Sequence, residues 1–226
     1  MKLVIGHLYN DLMNLYGENG NIKVLMYHLK SLKIDVELKK LSLENKINFD
    51  NLDLIYMGCG TEDNRKIVLN NLMKYKNNIK KAYKNNKMFL ITGNALALFG
   101  EYIEDINNEK IECLSIFNFH TKIENKRFVK EVSTKAKFVN DDILGFLNTS
   151  DKLYNDKGKE IEGYGIYKKN FYGTNLVGPI LARNPEFLNY FVTKLIKYKD
   201  GKEKVKELNT KFDEEAYLDY VAIKEK

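Results

Sequence analysis

Cysteine, proline and long apolar runs are scarce in this chain, and each scarcity excludes a class of protein. The 226 residues include two cysteines, Cys59 and Cys113, which lie far apart and without metal-ligand spacing. Neither a disulfide framework nor a metal site is therefore predicted. Two prolines and no repetitive stretch leave no candidate linker, so we expect one domain over residues 1–226.

No apolar run approaches the roughly 18 residues that span a membrane. The first apolar residues give way to the polar Tyr9–Asp11, whereas a signal peptide carries a longer apolar region. We therefore expect a cytoplasmic protein without membrane insertion.

Lysine accounts for most of the net charge of +6. Its densest run, Lys74–Lys87, also contains tyrosines, and a nucleic-acid site would use these residues for phosphate contacts and base stacking. The same run fits the solvated side of an amphipathic helix whose Leu72, Ile79 and Tyr83 turn inward. We favour the helix and predict no nucleic-acid partner.

Strands and helices alternate in the first part of the chain, judged from apolar periodicity. The predicted strands are Lys2–His7, Ile34–Leu41, Leu52–Met57 and Met88–Ile91, and the predicted helices are Ile22–Leu32 and Arg65–Asn85. Such alternation predicts a mainly parallel sheet between two layers of helices, a three-layer α/β sandwich.

The middle of the chain is richer in strand patterns. Strands are predicted at Leu114–Ile123, Phe128–Val132, Ala136–Val139, Ile143–Phe146 and Phe171–Leu176, and helices at Glu186–Tyr198 and Glu214–Ile223. The sandwich is therefore expected to carry extra β-strands from the middle of the chain.

A buried strand, a sharp turn and a helix are predicted in succession over Lys87–Gly100, with Thr92 and Gly93 at the turn. This is the arrangement of a nucleophile elbow. Glycine-rich loops also follow two neighbouring strands, at Gly58–Asp63 and Gly173–Pro179. Because ligands bind beyond the carboxyl ends of parallel strands, these loops predict backbone donors for an oxyanion near the elbow.

Several blocks in order carry a family resemblance. They are His7–Ile22, Gly58–Asp63, Ile91–Gly100, Ile143–Asn148 and Gly173–Leu181 with Asn184–Pro185. Together they resemble class I glutamine amidotransferases of the CobB/CobQ-like (cobyric-acid-synthase-like) branch, and most of all the glutaminase subunits of lipid II isoglutaminyl synthase. The resemblance covers most of the chain and implies the flavodoxin-like fold of that class.

The resemblance also implies how such relatives work. A cysteine thiolate attacks the glutamine carboxamide, a histidine moves the protons, and water hydrolyses the thioester. No cofactor is implied. A Mur-ligase-like (MurT-like) partner subunit uses ATP and the released ammonia to amidate a peptidoglycan precursor.

This sequence departs from the family pattern at both catalytic positions. Thr92 stands at the cysteine position and Val177 at the histidine position. A threonine hydroxyl is far less acidic than a thiol, and valine moves no proton. The histidines of the chain, His7, His28 and His120, fall elsewhere. Loss of nucleophile and base together removes about 10⁶ in turnover in triad knockouts, so we predict no family-type glutaminase activity.

The remaining site residues follow from the same resemblance. Gly58, Cys59, Gly60 and Gly93 correspond to the oxyanion loop and elbow, and Arg127 matches an arginine that serves glutamine use. An ordinary surface arginine on a strand is the alternative reading of Arg127.

Three functions remain open at this point. The chain is a degenerate glutaminase subunit that still docks on a Mur-ligase-like partner, an active amidotransferase with relocated groups such as Thr92 or Cys59, or a protein that binds glutamine or another small amino acid in the former pocket. We favour the first.

Overall fold

The computed structural model describes residues 1–201 and 208–224. Its strands are β1 (Lys2–Leu8), β2 (Asp35–Leu41), β3 (Leu54–Met57), β4 (Met88–Thr92), β5 (Tyr102–Glu104), β6 (Lys110–Glu112), β7 (Phe119–Thr134), β8 (Ile143–Asn155), β9 (Gly165–Lys168), β10 (Phe171–Thr174) and β11 (Leu176–Val177). Its α-helices are α1 (Asn19–Ser31), α2 (Glu62–Leu72), α3 (Lys76–Lys84), α4 (Ile180–Arg183), α5 (Pro185–Asp200) and α6 (Lys211–Lys224).

The main sheet has six strands in the order β2-β1-β3-β4-β10-β9. All neighbours are parallel except β9, which runs antiparallel to β10 at the edge. The central strands β3 and β4 are buried along their whole length, as expected for continuous apolar runs covered on both faces. The predicted parallel α/β sheet is confirmed.

Helices cover both faces of this sheet, and a separate apolar cluster lies on each side. On one face, Val68 of α2 and Ile79 of α3 pack with Ile55 and Phe89 of the sheet. On the other, helices α1 and α5 pack against strand residues such as Tyr56 and Leu90. The alternation of side chains along β3 and β4 supplies both clusters, which gives the three layers.

A second sheet holds the strands from the middle of the chain, in the order β11-β8-β7-β5-β6. Its centre is the antiparallel pair of β7 and β8, with a register shift between Ile123 and Phe128. Arg65 of α2 forms a buried ion pair with Asp151 of β8. The pair joins this sheet to a helix of the main layer.

One predicted helix is wrong in extent. The helix predicted over Arg65–Asn85 is two helices, α2 and α3, separated by a 3₁₀ turn at Met73–Tyr75. The break lets the Tyr75 ring pack near Phe49, with ring centres 5.8 Å apart. Tertiary packing here overrides a continuous helical pattern.

Two predicted strands in the middle of the chain need correction. Ala136–Val139 is a turn between β7 and β8, because Phe138 packs its ring on Tyr167 and Tyr190 instead of extending a strand. Leu114 is a buried residue of a loop, and its own N–H donates to the Leu98 carbonyl. Strand β7 therefore begins only at Phe119, and Cys113 lies before this loop.

The helix predicted after the elbow is a 3₁₀ helix at Gly93–Phe99, and all seven of its residues are buried. Within the described ranges no helix has both the length and the apolar character needed to cross a bilayer.

Candidate functional site

The predicted elbow lies at the carboxyl end of β4. Thr92 is its last residue, fully buried, and pairs in register with Thr174 of β10. Gly93 adopts φ +62°, a left-handed conformation that glycine tolerates best. A Cβ on Gly93 would lie 2.5 Å from the Cys59 Cβ and 3.1 Å from Val177 Cγ1. The structure therefore brings together the elbow, the glycine loop and Val177.

A buried carboxylate occupies the position that faces Thr92. The Thr92 hydroxyl donates to Glu18 Oε2 at 2.5 Å, and the Tyr56 hydroxyl donates to the same oxygen at 2.7 Å. The Gly178 N–H donates to Glu18 Oε1 at 3.0 Å, and Asn21 Nδ2 lies 3.3 Å from Oε2. We call these five residues the Glu18 network. It joins the start of α1, strands β3 and β4, and the residue after Val177.

Burial dominates the electrostatics of the Glu18 network. Removal from water raises the pKa of Glu18 to about 7, although its hydrogen bonds from Thr92, Tyr56, Gly178 and Asn21 oppose the shift. Burial and the Glu18 carboxyl together raise the pKa of Tyr56. The tyrosine therefore stays protonated, and Glu18 titrates in the neutral range.

The Asn94 side chain, which follows the elbow, bonds to the backbone of the glycine loop after β3. The Gly60 N–H donates to Asn94 Oδ1 at 3.1 Å, and Asn94 Nδ2 donates to the Gly60 carbonyl at 2.8 Å. Gly60 itself has no room for a side chain, because a Cβ there would lie 2.5 Å from Met13 Sδ. The N–H group that was predicted to face an oxyanion thus already has an acceptor.

Neither cysteine has the environment of a nucleophile. Cys59 is buried in the glycine loop, where its thiol donates to the Gly60 carbonyl at 3.6 Å. Burial raises the pKa of Cys59 to about 12 and that of Cys113 to about 12. Both thiols are therefore protonated at neutral pH, whereas a reactive cysteine needs thiolate character.

No imidazole bonds to Thr92 within the described chain. Val177 is buried and apolar in β11. His7, at the end of β1, packs its ring 4.8 Å from the Tyr56 ring, and both of its nitrogens lack a hydrogen-bond partner among the described residues. Burial lowers the pKa of His7 to about 4, so it is neutral. His28 and His120 lie on α1 and β7.

Arg127 lies where the second sheet meets the start of α2. Its Nη1 donates to Glu62 Oε1 at 2.9 Å and its Nε to Asn148 Oδ1 at 2.6 Å, while Nη2 lies 3.5 Å from the Tyr16 hydroxyl. The guanidinium lowers the pKa of Glu62. A substrate carboxylate would have to compete with Glu62 for this arginine.

Sequence reasoning missed Glu18 and Asn94 as site residues. Glu18 lies in a polar segment before α1, where a carboxylate is expected to be exposed to solvent. One signal was present: Tyr56 is the single polar side chain in the apolar run of β3, and a buried tyrosine hydroxyl needs a partner. Asn94 carries a comparable signal, because it is the one amide side chain in the apolar stretch after the elbow.

Comparison with known proteins agrees with this architecture. The family model of the CobB/CobQ-like glutamine amidotransferase domain matches residues 4–185. The GatD subunit of lipid II isoglutaminyl synthase (glutamine-hydrolyzing) from Streptococcus pneumoniae is 28% identical over 217 residues, covering 89% of this chain and 84% of that protein. The GatD subunit from Staphylococcus aureus is 26% identical over 227 residues, covering 95% and 93%.

Two solved structures share the fold at low identity. A glutamine amidotransferase crystal structure superimposes with a TM-score of 0.53 at 12% identity, covering 84% of this chain and 97% of that one. The glutaminase domain of Trypanosoma brucei CTPS gives 0.52 at 8% identity, covering 90% and 96%. The fold is that of the class I glutamine amidotransferases, and the chain belongs to the CobB/CobQ-like glutamine amidotransferase family.

Proposed function

We propose that this chain is a subunit without glutaminase activity that docks on a Mur-ligase-like enzyme and supports amidation of a peptidoglycan precursor in the cytoplasm. In this proposal Thr92 and Val177 stand at the positions of the family's nucleophile and base. The chain contributes its surface to the assembly, and the ligase takes free ammonia.

The choice of partner rests on the relatives. Both GatD proteins are named as subunits of lipid II isoglutaminyl synthase, and this chain covers most of the length of each. The matched family model extends from β1 into α5. This coverage of nearly the whole subunit supports docking on a partner of the same kind.

The observation that carries the loss of activity is the occupied Gly60 N–H. An oxyanion hole works when its donors are free to meet the charge that develops on the substrate. Here Asn94 forms two hydrogen bonds with Gly60, and the elbow beside it offers a hydroxyl and no thiol. Glutamine hydrolysis of the family type therefore lacks both its nucleophile and one of its donors.

Affinity purification of the chain from its native host tests the assembly, with ammonia release from glutamine measured on the same preparation. The proposal predicts a co-purified Mur-ligase-like protein and no ammonia above a sample without enzyme. It also predicts ligase activity with ammonium salts and not with glutamine. A preparation in which no such ligase is present would overturn the docking role, and glutamine-dependent ammonia release would overturn the loss of activity.

One observation favours a second candidate, an amidotransferase that uses Thr92. The hydroxyl of Thr92 lies 2.5 Å from the carboxylate of Glu18, which is within reach of proton transfer, and the pKa of about 7 suits a general base. Against this, Thr92 is fully buried. Ammonia release that disappears in both Thr92→Val and Glu18→Gln, but persists in Cys59→Ala, would select this candidate.

Binding of glutamine or another small amino acid in the former pocket is the third candidate. A carboxamide lodged beside Gly93 would have to displace Asn94 from Gly60. Calorimetric titration with glutamine and glutamate addresses this, and we expect no heat from either. A larger heat of binding in Asn94→Ala than in the wild type would instead identify a pocket to which Asn94 restricts access.

A further inference from the structure

A cavity of about 700 Å³ lies between the second sheet and the segment that returns to the main sheet. Its walls come from β7, β8, residues 159–161, Gly163, Tyr164 and Asn175. Thr92, Gly93, Asn94, Cys59 and Val177 are absent from its lining. The lining thus differs from the residues of the elbow and the glycine loop, although Asn175 follows Thr174, which pairs in register with Thr92.

The cavity borders an interrupted strand edge. Strand β8 pairs with β11 at Phe146 and Leu147, and further along with Glu160 at Tyr154. Between these pairings, residues 148–152 have no strand on that edge in the described part of the chain, while β7 pairs with the other edge. The lining residues on β8 lie within or beside this gap, where the Asn148 carbonyl accepts from Arg127 Nη2 at 3.3 Å and the Asp151 N–H donates to Thr149 Oγ1 at 3.0 Å.

One buried polar side chain in the lining lacks a partner. Asn175 is 6% exposed, and its carboxamide makes no hydrogen bond to any residue within the described ranges. Its backbone is fixed, because the Asn175 N–H and the Thr174 hydroxyl both donate to the Tyr164 carbonyl at 2.8 Å. The carboxamide atoms are not fully enclosed by the described residues, so the group borders the cavity and is available to a ligand.

The side chains that line the cavity carry a net positive charge. Asp151 is neutralised by Arg65, and Glu160 lies 3.5 Å from Lys152. Lys130 and Lys159 also line the cavity and have no acidic partner among the described side chains. The charges of these two lysines are therefore available to bind an anion.

Aromatic rings complete the lining. Phe128 lies on β7, with Lys152 Nζ 5.3 Å from its ring centre. Tyr164 has φ +57°, a conformation uncommon outside glycine and polar residues, and Lys130 Nζ lies 5.7 Å from its ring centre. Each ring therefore offers a flat apolar surface beside a cation.

From these features we propose that the cavity binds a small organic anion with a flat apolar body and a polar group that hydrogen-bonds Asn175. Lys130 and Lys159 neutralise its acidic group, while Phe128 and Tyr164 contact its body. The site acts independently of the elbow and needs no chemistry there.

The test uses two fluorescent probes with the same aromatic body on the full chain. Anilinonaphthalene sulfonate carries the anion, and neutral phenylnaphthylamine lacks it. We expect saturable binding of the sulfonate, weakened about tenfold in the double variant Lys130→Gln/Lys159→Gln, the effect of two partly exposed charge contacts. The neutral probe should bind that variant unchanged.

A matched control separates a site from general attraction. The exposed Lys30 and Lys157 do not line the cavity, and Lys30→Gln/Lys157→Gln removes the same charge. The proposal is overturned if both double variants weaken the sulfonate equally, or if neither does. Phe128→Ala should weaken both probes, and unchanged binding there would overturn the placement of the apolar body.

Discussion

Thr92 donates its hydroxyl hydrogen to the buried carboxyl group of Glu18 across 2.5 Å. The contact ties the elbow of the main sheet to the residue before α1, and two other donors, the Tyr56 hydroxyl and the Gly178 N–H, converge on the same carboxyl group. The elbow is thus held by a fully buried polar network, in which each member depends on the others for its hydrogen bonds.

Thr92→Val should destabilise the chain by about 1–2 kcal/mol, because the isosteric valine removes one donor to a buried acceptor. Thr92→Ser keeps the hydroxyl and serves as the control, with a smaller loss. The free energy of unfolding in urea measures both. A double-mutant cycle with Glu18→Gln should give a non-zero coupling energy; strict additivity would show that the two side chains do not interact.

Glu18 should make stability fall as pH rises toward neutrality. Glutamate in an unfolded chain ionises near a pKa of about 4.3, whereas the folded pKa of Glu18 is about 7. The folded state therefore binds more protons between these values, and its stability decreases with pH there, on the order of 1 kcal/mol per pH unit, then levels off above both.

Urea unfolding of the wild type and of Glu18→Gln across this range isolates the effect, because other titrating groups are common to both. The stability of the wild type relative to the variant should decline from pH 5 to pH 7, within the window set by the two pKa values. A difference that stays constant with pH would mean that Glu18 titrates at the same pH in both states.

The sequence predicted the fold better than the contents of the site. Buried apolar runs such as Leu54–Met57, and glycines that follow strands, are recognised from the local sequence pattern. The parallel sheet and the contact between Gly93 and the glycine loop could therefore be predicted. The resemblance assigns Thr92 and Val177 to the catalytic positions, and that assignment stays a prediction. The role of Asn94 could not be predicted from the sequence, because its hydrogen bonds to Gly60 depend on how two loops that are distant in sequence pack together. Likewise, Phe138 reads as a strand residue until its aromatic partners are known.

Gly93→Ala should cost more than Gly158→Ala. Both glycines have positive φ, +62° and +70°, so both substitutions carry the conformational cost of about 1–2 kcal/mol. Only at Gly93 does the new Cβ meet Cys59, while nothing lies within 4 Å at Gly158. Thermal and urea unfolding should show the excess at Gly93. Equal losses would mean that the elbow and the glycine loop can separate without cost.

The Arg65–Asp151 pair offers a test of how the second sheet is held. Asp151→Asn should destabilise by about 3–5 kcal/mol, because it leaves the buried Arg65 charge uncompensated. The double variant Arg65→Met/Asp151→Leu removes both charges and should recover most of that loss. Urea unfolding of the three proteins provides the comparison. A double variant as unstable as Asp151→Asn would show that the pair itself, not charge burial, governs this junction.

Introducing the two residues that the resemblance implies at Thr92 and Val177 should not by itself produce glutaminase activity. Thr92→Cys/Val177→His places a thiol and an imidazole at the elbow, but Asn94 still accepts the hydrogen bond of the Gly60 N–H. Adding Asn94→Gly frees that donor, and one oxyanion donor is worth about 10²–10³ in turnover. We therefore expect the triple variant to release ammonia from glutamine at least about 10²-fold faster than the double variant, assayed with the ligase that accompanies the chain.

Asn94→Gly alone is the control and should stay inactive, because it has no nucleophile. Equal rates for the double and triple variants would show that Asn94 does not block the loop, whereas activity in Asn94→Gly alone would point to Thr92 as a working nucleophile.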